Sequence, residues 1–298
     1  MANGQWYPPE WPDRIRALAE GTLTPVAPKQ ASTVMLLRDT APGTDTGTDT
    51  DTGPAVHMLR RRASMAFAGG AYAYPGGGVD PRDEHQIRWA GPTRAWWSQR
   101  LGVDEATAQA LVCAAVRETY EEAGVLLAGP TPDSVVGDTT GDDWEADRAA
   151  LVARDLSFAE FLDRRGLALR SDLLGAWTRW ITPEFEPRRY DTWFFVAALP
   201  KGQRTRNAST EADRTVWIRP ADAAASYDKG ELLMMPPTIA TLRQLIPYDS
   251  AAQALEAAPD RDLTPVLAQA RLEDGEIVLS WPGHDEFTKH IPTDGAQA

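Results

Sequence analysis

Residues 104–124 constrain the fold of this chain most, because they combine a strong helix signal with a crowd of glutamates at the helix end. Asp104 is suited to begin a helix, the interior is rich in alanine, and Gly124 is suited to end it. Three glutamates near that end follow an i, i+3, i+4 spacing and so share one helix face: Glu118, Glu121 and Glu122. Such carboxylates repel one another and oppose the partial negative charge of the helix C-terminus. The pattern therefore predicts a bound cation, and hard oxygen ligands suit Mg²⁺ or Mn²⁺.

A solvated acidic face is the alternative interpretation, but a glycine-rich turn at residues 74–80 favours a binding site instead. Absent side chains there allow the backbone close to a ligand. Together the turn and the helix resemble the Nudix box, which reads Gly, five residues, Glu, seven residues, then Arg-Glu-aliphatic-x-Glu-Glu-x-Gly-aliphatic. The second half matches at Arg117, Glu118, Glu121, Glu122, Gly124 and Val125. Thr119 departs from the pattern at a position that is usually aliphatic.

The first half of the box is displaced by an insertion. Counted from Gly77, the first Glu position falls on Asp83, with thirty-three residues rather than seven before Arg117. We place the insertion at residues 84–103 and leave the role of Asp83 open. A box split in this way resembles the one in a long branch of the family, whose members include the animal peroxisomal CoA and acyl-CoA diphosphatases. Further similarity lies at residues 67–72, 180–183, 187–192 and 235–242, and the resemblance covers about residues 33–267.

The resemblance implies a fold and a set of site residues. The fold is of the α+β class, an α/β/α sandwich with a central mixed sheet, helical insertions and a C-terminal extension. Glu118, Glu121 and Glu122 are then the expected metal ligands, with Glu118 as an alternative general base. Arg117 is expected to orient a carboxylate through a bidentate pair. Gly77 and Gly78 are expected to offer backbone contacts to the metal or phosphate.

Four residues outside the box complete the predicted site. Glu211 is a candidate base, because some relatives take the base from a later loop, and an ordinary surface loop is the alternative. The predicted substrate ligands are basic residues in two clusters of positive charge: Arg60, Arg188 and Arg189. For the second cluster the alternative is ion pairing with neighbours such as Glu184, Glu186 or Asp191.

Composition limits the partners. The formal net charge of -13 would repel polyanions, so we expect no nucleic-acid partner. The four histidines show no metal-ligand spacing, and no apolar run approaches the length of a membrane span. Without a signal-like N-terminus we expect a cytoplasmic protein that acts on a small phosphorylated substrate. Whether it forms a homodimer is left open.

The pattern along the chain divides it into three parts: an N-terminal extension (1–30), a catalytic domain (31–248) and a C-terminal extension (249–298). Within the domain, residues 40–54 form a Thr/Asp/Gly repeat predicted to be disordered, and residues 130–170 a loop with a helical insertion. The predicted strands are 32–38, 56–61, 174–181, 192–198 and 216–219. The other predicted elements are helices 144–154, 157–165 and 237–246 and a hairpin at 272–280.

These observations predict metal-dependent hydrolysis of a nucleoside diphosphate linked to another group. CoA or acyl-CoA is the favoured substrate, cleaved to adenosine 3',5'-bisphosphate and (acyl-)phosphopantetheine. The alternatives are ADP-ribose, a dinucleotide or an oxidised nucleotide, and, in another class, a sensor module that binds a nucleotide without cleaving it. The three intact glutamates argue against a sensor. The sequence does not indicate which diphosphate is bound or whether Mg²⁺ or Mn²⁺ is preferred.

Overall fold

A long central sheet organises the molecule. The computed structural model describes residues 7–40, 53–64, 68–209, 211–273 and 275–292. The strands within these ranges are β1 (Lys29–Asp39), β2 (Pro54–Arg61), β3 (Tyr72–Ala73), β4 (Gly76–Gly78), β5 (Trp89–Ala90), β6 (Ala128–Gly129), β7 (Ala168–Arg170), β8 (Gly175–Ile181), β9 (Tyr190–Ala198), β10 (Ala212–Ile218), β11 (Val266–Leu267), β12 (Gln269–Glu273), β13 (Glu276–Ser280) and β14 (Lys289–Pro292). The helices are α1 (Trp11–Ala19), α2 (Arg94–Leu101), α3 (Glu105–Ala123), α4 (Asp142–Val152), α5 (Phe158–Arg164), α6 (Pro220–Asp228), α7 (Pro236–Leu245) and α8 (Ala251–Ala257).

The main sheet is mixed, as predicted. Its strand order is β10-β2-β1-β9-β8-β11, and β3 and β4 pair with β2 and β1. Strand β1 runs parallel to β9 but antiparallel to β2 and β4. The predicted strands are all present, and the last of them, β10, begins at Ala212 rather than at residue 216. Most of the repeat predicted to be disordered, residues 41–52, lies outside the described residues.

Side chains of β1 alternate between two apolar cores, one on each face of the sheet. Val34 and Leu36 face the core that contains α2, α3, α4 and α5. Met35 and Leu37 face the other core, which contains α1, α6, α7 and α8. The sheet is therefore covered by helices on both faces, and the predicted α/β/α sandwich is confirmed.

Helix α3 forms where the sequence predicts it, because both of its ends are fixed locally. The Asp104 side chain accepts a hydrogen bond from the backbone N–H of Thr107 at 3.0 Å, and Gly124 adopts a left-handed conformation with φ 70°. Most of the helix is buried between the sheet and its neighbours α2 and α4. This position directs the carboxylates of its last turn towards β4.

The inserted and terminal segments are built into the fold. Strand β5, in the insertion within the box, pairs with β7, and α2 packs against α3. The predicted hairpin is present as β12 and β13, and a third strand, β14, that the sequence did not indicate extends it. Strand β11 joins the main sheet beside β8. None of the helices within the described ranges is both long and apolar enough to cross a membrane.

Candidate functional site

Arg117 organises the acidic end of α3. Its Nη1 donates to Glu118 Oε1 at 2.6 Å and to Glu121 Oε1 at 3.3 Å. The side chains of both glutamates are only 13% exposed. The two carboxylates are thus held together by one guanidinium rather than spread over a solvated surface.

Asp83 holds the guanidinium of Arg117 from the other side. Arg117 Nε donates to Asp83 Oδ1 at 3.0 Å and Nη2 to Oδ2 at 2.9 Å, and the Asp83 side chain is 2% exposed. Asp83 also accepts from the backbone N–H of Asp80 at 2.9 Å, where Asp80 caps the start of the short 3-10 helix Pro81–Glu84. The bidentate pair predicted for Arg117 is present, and its carboxylate comes from the first acidic position of the split box. The role of Asp83 that the sequence left open is to position Arg117.

The glycine turn lies directly against the glutamates. The backbone N–H of Gly76 donates to Glu122 Oε2 at 2.9 Å, and the carbonyl of Gly78 accepts from Arg117 Nη2 at 2.9 Å. A Cβ atom at Gly77 would lie 2.6 Å from the carboxyl carbon of Glu118. A side chain at this position would therefore displace the Glu118 carboxylate, because β4 passes in contact with it.

Glu211 reaches the same site from a distant loop. A small cavity is lined by both Glu211 and Glu122, together with Arg61, Gly76 and Ser209. Ser209 Oγ donates to Glu122 Oε1 at 3.3 Å. The Glu211 carboxylate is 60% exposed and lies 3.9 Å from Arg61. The loop before β10 therefore brings a further carboxylate to the end of α3.

The three arginines predicted as substrate ligands do not lie beside the glutamates. Arg60 lies one residue from Arg61 on β2 and so on the opposite face of the sheet, where Nε bonds to Asp213 Oδ1 at 2.7 Å. Arg189 is buried and donates to the carbonyls of Thr182 at 3.0 Å and Val26 at 2.7 Å. Both predictions as substrate ligands are corrected: Arg60 faces away from the glutamates and Arg189 satisfies backbone groups. Arg188 is exposed outside the cavity.

Burial makes this site electrostatically demanding. It raises the pKa of Glu118 to about 7, with repulsion from Glu121 adding to it and Arg117 opposing it. Burial and then repulsion from Glu118 raise the pKa of Glu122 to about 8. Burial lowers the pKa of Arg117, but the hydrogen bonds to Asp83 and the attraction of Glu118 outweigh it and raise that pKa overall. The single positive charge of Arg117 thus does not offset the burial and mutual repulsion that disfavour the ionised forms of Glu118 and Glu122.

The three glutamates do not converge on one point in this structure. Among the residues that the structure describes, no group of three His, Cys, Asp or Glu side chains is arranged to hold a metal ion. The reason lies in their partners, because Glu118 and Glu121 turn to Arg117 whereas Glu122 turns to Gly76 and Ser209.

Comparison with known proteins identifies the family. A family model described as the NUDT19 Nudix domain matches residues 97–245, half of the chain and all of α3. The chain belongs to the Nudix hydrolase family. It is 24% identical over 272 residues to acyl-coenzyme A diphosphatase NUDT19 of Xenopus laevis, covering 78% of this chain and 71% of that protein. It is 25% identical over 246 residues to the Gallus gallus protein of the same name, covering 69% of this chain and 65% of that protein.

A solved structure of a family member supports the same assignment of the fold. The crystal structure of a Nudix hydrolase from Alicyclobacillus acidocaldarius superposes with a TM-score of 0.63 at 26% identity, covering 78% of this chain and 96% of that one. The central mixed sheet between helical layers is thus the Nudix fold. The chain is a Nudix diphosphatase, an enzyme of a class that acts on small nucleotide-derived substrates and generally uses a divalent metal ion.

Sequence reasoning missed three residues of this Nudix site. Gly76 was seen only as part of the turn, although the neighbouring Gly77 was singled out. Ser209 carries no motif, and only the fold brings it to Glu122. Arg61 follows the predicted ligand Arg60 in a run of three arginines, residues 60–62, which gives no reason to prefer it. Nearly all of β2 is buried, so the alternation that would separate Arg60 from Arg61 cannot be read from the sequence.

Proposed function

We propose that this Nudix enzyme hydrolyses the diphosphate group of CoA or acyl-CoA with Mg²⁺ or Mn²⁺, releasing adenosine 3',5'-bisphosphate and (acyl-)phosphopantetheine. The observation that carries the proposal is the buried cluster in which Arg117 joins Glu118 and Glu121 beside the backbone of Gly76–Gly78. The names of the relatives at 24% and 25% identity support the choice of CoA within the family.

The residues at the end of α3 fit a divalent cation. Glu118, Glu121 and Glu122 present hard oxygen ligands, and the raised pKa values of Glu118 and Glu122 mean that added positive charge would stabilise their ionised forms. When bound, the ion would neutralise the diphosphate and make a bound water more acidic.

The protein's own residues position the reactants. Asp83 fixes Arg117, and Arg117 holds Glu118 and Glu121 close together, so both carboxylates are kept beside the glycine turn before the substrate binds. Gly77 leaves room for β4 to lie on Glu118, which brings backbone groups close to the phosphate site. This pre-organisation stabilises charge that develops during phosphoryl transfer.

In hydrolysis, water attacks one phosphorus, the bond from that phosphorus to the bridging oxygen breaks, and the water proton passes to a base. Glu211 is our candidate for that base among the loop residues, because its carboxylate lines the cavity beside Glu122 and is open to solvent. Glu118, on the helix, is the alternative base.

A substrate panel tests the proposal. The purified protein is incubated with CoA, acyl-CoA, ADP-ribose, a dinucleoside polyphosphate and an oxidised nucleotide, each with Mg²⁺ and with Mn²⁺, and the products are identified by mass spectrometry. We expect adenosine 3',5'-bisphosphate from CoA or acyl-CoA. Rapid cleavage of ADP-ribose without cleavage of CoA would reject the substrate, and tight binding without any cleavage would indicate a sensor.

Glu121→Gln tests the assignment of the acidic cluster. Loss of a metal ligand should lower kcat by at least about a hundredfold, because even residues that only support ligands contribute about ten- to hundredfold. Glu105→Gln is the matched control, since Glu105 is exposed in the first turn of the same helix. Circular dichroism should show both variants folded. A fully active Glu121→Gln enzyme would disprove the metal-site assignment.

A further inference from the structure

Arg61 lies on the side of the sheet that faces α3, at the edge of the carboxylate cluster. Residues alternate along β2, so Leu59 and Arg61 face the cavity, whereas Arg60 pairs with Asp213 on the other side. Arg61 is the last residue of this strand and pairs with Ala212 of β10. Its backbone is therefore fixed by the sheet while its side chain lies at the site.

The guanidinium of Arg61 has unused hydrogen-bonding capacity. Its Nε is buried and has no hydrogen-bond partner among the described residues. Its nearest carboxylate oxygen, on Glu211, is 3.9 Å from Nη2, which is too long for a hydrogen bond. Because Arg61 lines the cavity, its Nε is available to an acceptor that enters there, and a hydrogen bond would stabilise this buried donor.

The chemistry of the cavity indicates which acceptor that is. Of the described residues that line it, Glu122 and Glu211 are acidic and Arg61 alone is basic. An anion entering beside two carboxylates needs a fixed positive charge to bind. The planar fork of an Arg side chain matches phosphate oxygens and, unlike Lys, can donate two parallel hydrogen bonds.

We propose that Arg61 binds a phosphate oxygen of the diphosphate substrate and holds that group against the acidic end of α3. This inference rests on the proposed function only in taking the substrate to be a nucleoside diphosphate derivative. Arg61 acts as a substrate-binding residue, and Glu211 keeps its guanidinium near the cavity between turnovers without saturating its donors.

Equilibrium binding tests Arg61 without turnover. The probe is the non-hydrolysable α,β-methylene-ADP, titrated by calorimetry into the wild type, Arg61→Gln, Arg61→Lys and Arg60→Gln in the presence of Mg²⁺. We expect Arg61→Gln to raise Kd about ten- to hundredfold, as for loss of a hydrogen bond to a charged group. Arg61→Lys should lie between, because it keeps the charge but loses the fork. Arg60→Gln should stay within about twofold, since it removes the same charge from the opposite face.

Three results would reject the inference. An unchanged Kd in Arg61→Gln would mean that Arg61 only offsets the charge of Glu122 and Glu211. Equal weakening by Arg60→Gln would indicate a general electrostatic effect, and absence of binding by the wild type would show that the cavity does not accept a diphosphate. Thermal unfolding shows whether each variant is folded. If Arg61→Gln is misfolded, the Kd of Arg61→Lys is compared with that of the wild type instead. Failure of CoA cleavage with Arg61-dependent binding intact would reject the proposed substrate and leave this inference standing.

Discussion

Removing the Asp83 carboxylate should destabilise the protein far more than removing an exposed one. Asp83 makes two hydrogen bonds to Arg117, at 3.0 and 2.9 Å, and its side chain is 2% exposed. In Asp83→Ala the guanidinium loses its best partner, and the backbone N–H of Asp80 loses an acceptor. The variant thus removes one of several partners from the charge of Arg117 and the acceptor from the Asp80 N–H, in a region with little access to water.

The magnitude follows from what remains around Arg117. Removal of one partner from a buried ion pair costs about 3–5 kcal/mol. Arg117 keeps its contacts with Glu118, Glu121 and the Gly78 carbonyl, so we expect the lower limit, about 3 kcal/mol. This corresponds to a fall of about 6–12 °C in Tm, at about 2–4 °C for each kcal/mol.

Asp213→Ala is the matched control. It also removes an Asp from an Asp–Arg pair, but the side chains of Asp213 and Arg60 are 34% and 41% exposed, so the loss should be about 0–1 kcal/mol. Differential scanning calorimetry of both variants gives the comparison. Equal small shifts in Tm would refute the reasoning, because the Arg117–Asp83 pair would then contribute no more than a surface pair.

Two further predictions use other parts of the structure. Gly77→Ala would place a methyl group 2.6 Å from the Glu118 carboxyl carbon, so kcat should fall by about a hundredfold, whereas Gly137→Ala, with no atom within 4 Å of the new Cβ, should keep full activity; equal activities would show that the contact at Gly77 is unimportant. Burial, aided by Arg38, lowers the pKa of His57 to about 4. The stability that neutral His57 contributes is complete above its ordinary pKa of 6.5 and is lost as the pH falls towards 4, by about 3 kcal/mol in all. His57→Leu should lack this loss when urea unfolding is compared at about pH 7 and about pH 5, and an identical pH dependence in both proteins would contradict the prediction.

The parts of the fold that could be predicted are those fixed by neighbouring residues. Helix α3 was predicted to within a residue because Asp104 and Gly124 cap it locally. The pairing of β11 with β8 and the third strand beside the C-terminal hairpin were not predicted. Their short strands carry little pattern of their own and depend on partners distant in the sequence.

The residues of the site can likewise be divided into those that local sequence identifies and those that depend on tertiary structure. The glutamates and Arg117 are recognisable from their spacing on one helix, and Glu211 from a loop position typical of the family. Arg189 could not be recognised as structural, because the carbonyls that it binds, of Thr182 and Val26, come together only through tertiary structure. The choice between Arg60 and Arg61 depends on which of the two side chains lies on the face of β2 towards α3. Both faces of β2 are buried, so its sequence does not alternate between apolar and polar residues and does not distinguish the two faces.

The C-terminal strands determine how much of the outer edge of β8 is exposed. Strand β11 covers part of the outer edge of β8 through Trp180 and Ile181, and Leu279 and Ile291 pack into the same core as Trp177 and Trp180. A chain cut after residue 248 would expose this core and leave unpaired backbone groups along β8. Open, apolar sheet edges recruit strands from other molecules. The described residues beyond 248 therefore cover an apolar sheet edge, although they lie outside residues 97–245, which match the family model.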